Sequence, residues 1–109
     1  SDVYKRQEAW AQSESYALSI YHTASKMLAG GSIGSESSLG KIFWSELDHM
    51  MHQTALKILG ASAELSNSSE HDAAQWIKGF MFSYGGPIYA GTNEIQKNII
   101  AERLLGLPK

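Results

Sequence analysis

The side chains with the most chemical reach sit on one predicted helix, where Glu46, His49 and His52 follow one another a turn apart. A Glu-x-x-His pair on a bundle helix is half of what carboxylate-bridged di-iron proteins use. Such a centre needs the motif twice, with further carboxylates from other helices, and this chain carries it once. His49 and His52 also lack a third ligand of the kind a zinc site requires. They read as a polar helix face, and no metal is expected. His22 and His71 stand alone and read as structural or exposed. There is no Gly-x-Ser-x-Gly elbow, P-loop or dinucleotide glycine fingerprint, and no cysteine to serve as nucleophile or zinc thiolate.

The second candidate is Gly85-Gly86-Pro87-Ile88-Tyr89-Ala90-Gly91-Thr92-Asn93-Glu94-Ile95-Gln96. A glycine-proline break leads to a Gly-Thr-Asn turn that opens a helix. Thr92 or Asn93 can cap that helix by accepting from its first N–H groups. Glu94 then stands in the first turn, where a carboxylate suits the positive end of the helix dipole. A helix start of this kind can face a polar or anionic ligand. Read from composition alone, it is a well-capped terminal helix.

Four helices must position these residues. From about Arg6 to Ala29 the apolar residues Trp10, Ala17, Ile20, Tyr21, Ala24, Met27 and Leu28 recur at helical spacing. Gly30-Gly31 ends that helix, and Gly30 to Ser38 is a Gly/Ser-rich connection in which Ser35, Ser37 or Ser38 can cap the next. The second helix, about Ser37 to Leu59, has the stripe Leu39, Ile42, Phe43, Leu47, Met50, Met51, Ala55, Ile58 and Leu59, with Gly60 as its terminator. A polar loop from Gly60 to Ser69 follows, and Ser69-x-x-Asp72 resembles a capping box. A third, shorter helix carries Ala74, Ile77, Phe80, Met81 and Tyr84 on one face, until Gly85-Gly86-Pro87 breaks it. The fourth, about Asn93 to Leu105, is expected to bury Ile95, Ile99, Ile100 and Leu104 before Gly106 and Pro108 stop it. The fold expected is an all-α, four-helix bundle with no internal repeat.

Bulk properties exclude several classes. The chain has 109 residues, 43% of them apolar, which suits one small domain or part of a larger one. Nine basic residues against eleven acidic give a net charge of −2. With no basic cluster, neither nucleic acid nor an acidic membrane is expected as a partner. No apolar run is long enough to span a bilayer, and the absence of cysteine accords with a cytoplasmic setting. Ser1 to Gln7 resembles a translated adapter tail, so residues 1–7 are expected to be a non-native lead-in, and residues 8–109 the domain proper. The alternative is an ordinary polar lead-in to the first helix.

The terminal segment resembles the C-terminal signature of the acyl-CoA dehydrogenases, Ile-Tyr-Glu-Gly-Thr-(Ser/Asn)-Glu-Ile-Gln followed by a helix of the type Ile-Ile-Ala-Arg-Leu-Leu. Here it stands as Ile88-Tyr89-Ala90-Gly91-Thr92-Asn93-Glu94-Ile95-Gln96, then Ile99-Ile100-Ala101-Glu102-Arg103-Leu104-Leu105. The resemblance covers most of residues 8–109 and corresponds to the later part of the family's C-terminal helical domain, truncated at its N-terminus. It implies an FAD enzyme that desaturates an acyl-CoA between the α and β carbons. A carboxylate takes the α proton and the β hydrogen leaves as hydride to the flavin. It also implies a dimer or tetramer in which this region touches FAD, with Thr92, Asn93 and Glu94 at the cofactor. Gly91 would lie beside the thioester, where a missing side chain permits close approach.

Two departures matter. The residue before Gly91 is a catalytic glutamate in much of the family; here it is Ala90, which accepts no proton, so the base is expected upstream. At Lys57-Ile58-Leu59-Gly60-Ala61-Ser62 the family's Gln-Ile-Leu-Gly-Gly, a second FAD contact, is altered by Lys57 and Ala61. Lys57, Gly60 and Ala61 remain candidate cofactor contacts, since a lysine can pair with a phosphate. The function expected is the C-terminal part of an FAD-dependent acyl-CoA dehydrogenase, inactive in isolation. Its alternatives are a catalytically silent subunit of a hetero-oligomer and a helical interaction module without cofactor.

Overall fold

Helix formers dominate the chain, and the structure is built from helices joined by turns. The computed structural model describes residues 2–64 and 73–109. The elements are α1 (Asp2–Leu28), α2 (Glu36–Leu59), a 3-10 turn (Gly60–Glu64), α3 (Ala73–Ser83) and α4 (Asn93–Ile99), which continues as a π turn (Ile100–Leu104). The all-α, four-helix arrangement is as expected, and among the described residues there is no strand. No helix among them is long and apolar enough to cross a membrane. Helix α1 starts earlier than its apolar pattern, so residues 3–7 are its first turns. Ser69, His71 and Asp72, with the expected capping box, lie outside the described residues.

Glycines end α1 and α2 as read. Gly30 has φ +89°, and the N–H of Gly31 donates back to Lys26 O at 2.9 Å. Gly60 has φ +59° and closes α2 by donating to Leu56 O. The start of α2 differs from expectation. No serine hydroxyl there accepts from the helix. The N–H groups of Ser37 and Ser38 donate instead to the carbonyls of Gly34 and Ser35, at 3.3 and 3.0 Å. Ser37 Oγ donates to Gly34 O. Main-chain carbonyls thus satisfy the free donors, and the cap side chain is not needed. Glu36, in the first turn, receives Lys26 Nζ at 2.8 Å and ties the end of α1 to the start of α2.

Helix α2 is the hub. It touches α1, α3, α4 and both short turns, whereas among the described residues α1 touches α2 alone. Tyr16 stacks on Phe43 with centroids 5.9 Å apart, which seats α1. On the other side of α2 the seam is made of small residues. Ser45 is 0% exposed, Ser83 1%, and Gly86 is buried against both. A Cβ on Gly86 would lie 3.2 Å from Ser45 Cβ and 3.3 Å from Ser83 O. The turn after α3 therefore meets the α2 backbone directly.

This seam displaces the core expected from the apolar stripes. Among the described residues only Leu47, Ala63 and Ala73 are buried hydrophobics. Trp10 (68%) and Leu28 (90%) are exposed on α1, as are Ile20, Tyr21 and Met27. Leu39, Phe43, Met51 and Ile58 on α2, Met81 on α3, Tyr84 just after it, and Ile95 and Leu104 near the end are exposed too. The reason is geometric. An amphipathic stripe is buried only where another element faces it, and the outer faces of α1 and α2 meet none among the described residues. The radius of gyration, 17.1 Å, reflects this; a compact domain of this length has about 13 Å.

Two outcomes test this account. Replacing Gly86→Ala or Ser45→Val should destabilise by about 1–3 kcal/mol, since added carbons have no room in the seam; the urea midpoint measures it, and an unmoved midpoint counts against a rigid seam. The second concerns pH. The Lys26 ammonium, by hydrogen bond and charge, holds the Glu36 carboxyl below its usual range. A depressed carboxylate stabilises above its unfolded-state value and loses that effect as pH falls through the folded one. Amide protection at Ser37 and Ser38 should therefore drop on acidification below the usual carboxylate range, and Glu36→Gln should remove that pH dependence.

Candidate functional site

The segment from Gly85 to Gln96 forms a double turn held at both ends. Its first half is closed by the N–H groups of Ile88 and Tyr89, both donating to Gly85 O at 2.9 Å. Tyr89 packs against Trp44 of α2 and Phe82 of α3, with centroids 6.1 and 6.4 Å apart. The chain then makes two consecutive left-handed residues, Ala90 (φ +54°) and Gly91 (φ +88°). Glycine adopts this conformation freely, but for alanine it costs about 1–2 kcal/mol. Ala90 is the sole non-glycine with positive φ among the described residues. Gln96 Nε2 donates to Ala90 O at 3.0 Å and supports the strained residue.

Thr92 is the cap, as read: its Oγ1 accepts from Ile95 N at 3.3 Å, and its carbonyl from Gln96 N at 2.9 Å. Thr92 Oγ1 thus has a lone pair engaged, and its hydroxyl hydrogen can donate. Glu94 is exposed in the first turn.

Asn93 is placed differently from its neighbours. It is 5% exposed, with its side chain turned onto α2. Lys41 Nζ donates to Asn93 Oδ1 at 2.8 Å. Asn93 Nδ2 donates to Ser45 Oγ at 3.2 Å. Ser45 has one hydroxyl hydrogen and gives it to Ile42 O at 3.0 Å. That leaves its lone pair for the Asn93 amide and fixes the carboxamide with its oxygen toward Lys41. The Asn93 N–H donates to Pro87 O at 2.9 Å. In this arrangement Asn93 binds the turn to α2 from inside, while Thr92 and Glu94 stand at its rim.

Lys57, Gly60 and Ala61 are exposed at the far end of α2. Ser45 and Lys57 are separated by twelve residues of one helix, about 18 Å along its axis. The structure groups Gly91, Thr92 and Glu94 together and Lys57, Gly60 and Ala61 together, but not the two groups with each other.

The histidines are packing residues. His49 Nδ1 lies 2.8 Å from Ser83 Oγ, which donates to Phe80 O at 2.6 Å. Ser83 must then accept, so His49 carries its proton on Nδ1, and Nε2 accepts from Gln53 at 3.2 Å. Its ring rests against Phe80 and Tyr84. His52 packs on Trp76, with Nδ1 donating to Asp48 O at 2.8 Å. A Cβ on Gly79 would collide with that ring. Both join α2 to α3, and no group of three metal-ligating residues occurs among the described residues.

Sequence reasoning missed Lys41, Ser45 and Gln96. Lys41 and Ser45 are four apart and share a helix face, but nothing local connects that face to Asn93, some fifty positions on. It also missed a cleft of about 750 Å³ between α1 and α2, lined by Tyr16, Ile20, Met27, Lys41, Phe43 and Trp44 among others.

Comparison with known proteins bears on the whole segment. Residues 4–105 match the acyl-CoA dehydrogenase C-terminal domain family. The chain is similar to acyl-CoA dehydrogenase IpdE1 of Mycolicibacterium smegmatis, 35% identical over 74 residues, which are 68% of this chain and 18% of that protein. It is likewise similar to acyl-CoA dehydrogenase IpdE1 of Mycobacterium tuberculosis, 34% identical over 74 residues, 68% of this chain and 19% of that protein. The chain thus aligns with under a fifth of the length of these curated relatives. No solved structure matches it.

The turn geometry makes a contrast between adjacent residues. Gly91→Ala should destabilise by about 1 kcal/mol or more, because φ must stay positive and the new methyl meets the Gln96 amide. Ala90→Gly should be neutral or stabilising by up to about 1 kcal/mol, relief of strain being offset by unfolded-chain entropy. Thermal melts of the two variants decide it; the reverse ranking would contradict the observed φ values.

Proposed function

Because the chain belongs to the acyl-CoA dehydrogenase family, we propose that it forms the later part of the C-terminal helical domain of an FAD-dependent acyl-CoA dehydrogenase. The protein desaturates an acyl-CoA thioester between its α and β carbons, as an oligomer in the cytoplasm. The observation that carries this reading is the pair of left-handed residues Ala90 and Gly91, ahead of the Thr92 cap, within a segment ordered like the family signature. A strained non-glycine at such a turn points to function.

The residues present suit the cofactor in kind. Thr92 offers a hydroxyl donor at the rim and Glu94 an exposed carboxylate, while Gly91 is exposed and without a side chain of its own, the Gln96 amide standing where its Cβ would be. FAD, when bound, supplies the hydride acceptor. Thr92 and Glu94 orient it, and Asn93 belongs to the same contact through the backbone it fixes. Lys57 presents a cation to a phosphate, beside the backbone of Gly60 and Ala61. Since that group stands apart from the turn along α2, the two touch different stretches of an elongated dinucleotide, or cofactors of neighbouring subunits. Gly91 lies against the thioester.

Ala90 has a methyl where a proton acceptor would stand, so proton abstraction falls to a carboxylate outside this segment. Glu94 belongs to the cofactor side and is not that base. Ala90 also favours a second reading, a silent subunit that lends its turn to an active partner.

Anaerobic titration of the full-length protein with acyl-CoA tests the proposal. Purified protein should carry FAD and its flavin absorbance should bleach, whereas residues 1–109 alone should bleach no added FAD. A full-length protein without flavin overturns the proposal. Flavin reduction by the 109-residue chain alone overturns the external base. Flavin that bleaches only after a second dehydrogenase chain is added selects the silent-subunit reading.

A further inference from the structure

We infer that Lys41 is a positioning residue for the Ala90–Asn93 turn, acting through the Asn93 carboxamide. This rests on the flavin-contact role proposed for that turn.

The geometry is that of a two-point clamp. Lys41 and Ser45 project from the same face of α2 and hold one carboxamide: Lys41 Nζ donates to Oδ1 at 2.8 Å, and Ser45 Oγ accepts from Nδ2 at 3.2 Å while lying 3.4 Å from Oδ1. Two contacts to one rigid helix fix both the position and the plane of the amide. The grip passes to the backbone at once, because the Asn93 N–H is tied to Pro87 O across the turn at 2.9 Å. Thr92 and Gly91 directly precede it. Helix α4 packs on α2 and, among the described residues, on neither α1 nor α3. The clamp therefore sets where the rim of the turn stands relative to the rest of the chain.

Of the two grips, Lys41 is the stronger. A charged donor makes a shorter and stronger hydrogen bond than a neutral one, and these distances follow that order. Without the ammonium, a buried carbonyl oxygen loses the donor that orients it. The amide is then free to turn over, and the Ser45 contact alone does not hold the plane. Ligand contacts need placement within about 0.5 Å, so a turn that rocks by more than this loses affinity while the helices stay folded. Lys41 is half-buried and lines the α1–α2 cleft, hence its long side chain can be changed without opening the Ser45–Gly86 seam.

The experiment compares Lys41→Met, Lys41→Arg and wild type in the full-length protein. It reads FAD dissociation by fluorescence titration, the flavin absorption spectrum, and thermal melting. Lys41→Met should bind FAD about ten-fold more weakly, the loss expected for one buried charged hydrogen bond, with an altered flavin band and a cooperative melt. Lys41→Arg should restore affinity to within about three-fold of wild type, since a guanidinium also donates to Oδ1. A lysine that merely packed α2 would lower the melting temperature and leave the flavin affinity and spectrum alone; that result overturns the inference. If Lys41→Met does not fold, Lys41→Gln replaces it: weaker binding than Lys41→Arg supports the inference, and equal binding overturns it. Wild-type protein that binds no FAD overturns the flavin reading and this inference together. Flavin-binding wild type with an indifferent Lys41→Met overturns the role of Lys41 alone.

Discussion

Close approach of backbone to backbone at Ser45, Ser83 and Gly86 is the constraint from which the rest of the structure follows. Side chains this small let the turn after α3 sit directly on α2. Serine at these places carries a hydroxyl into a dry seam, which is costly unless it is paired. Both hydroxyls are paired: Ser45 donates to Ile42 O and accepts from Asn93, and Ser83 donates to Phe80 O and accepts from His49. The hydroxyls therefore do what alanine could not. Each links its helix to a polar side chain from another element, and so specifies register as well as proximity.

That seam explains why the interior is small and polar while the large apolar residues lie outside. Helix α2 spends one side on the seam and the other on α1. Trp10, Tyr21 and Leu28 on α1 have no facing element among the described residues. Apolar surface of this extent is what an interaction face looks like. It accords with a chain that corresponds to under a fifth of its curated relatives. The aromatic contacts Tyr16–Phe43 and Trp44–Tyr89 show what each helix does with the partners it has.

The turn at Ala90–Asn93 divides its labour between neighbours. Thr92 faces forward along the helix it caps, while Asn93 faces inward to α2. Gln96 reaches back to hold the strained carbonyl of Ala90. In the reading proposed here, the rim residues meet the ligand and the inward residue keeps the rim in place. Ala90 sharpens the same division, since a methyl group can shape a site without moving a proton. The His49 and His52 pair, which carried the first chemical suspicion, turns out to fasten α3 to α2 by hydrogen bonds and ring contacts.

What the sequence determined by itself is whatever depends on a few consecutive residues. Gly30, Gly60 and Gly106 end their elements with positive φ, because only a residue without Cβ takes that conformation freely. Thr92 caps α4 because its hydroxyl lies within reach of a nearby N–H. The four helices and the signature from Ile88 to Leu105 were legible for the same reason: both are patterns of local order. What the tertiary structure decided is which face of each pattern is covered. The apolar stripes of α1 and α2 look like core in sequence, yet burial depends on a second element being there. Asn93 looked like a rim residue beside Thr92, yet its carboxamide lies between Lys41 and Ser45. Those contacts join residues separated by 52 and 48 positions. Such partners are chosen by the distance between helices, and that distance is set by the small side chains of a seam that no local pattern announces.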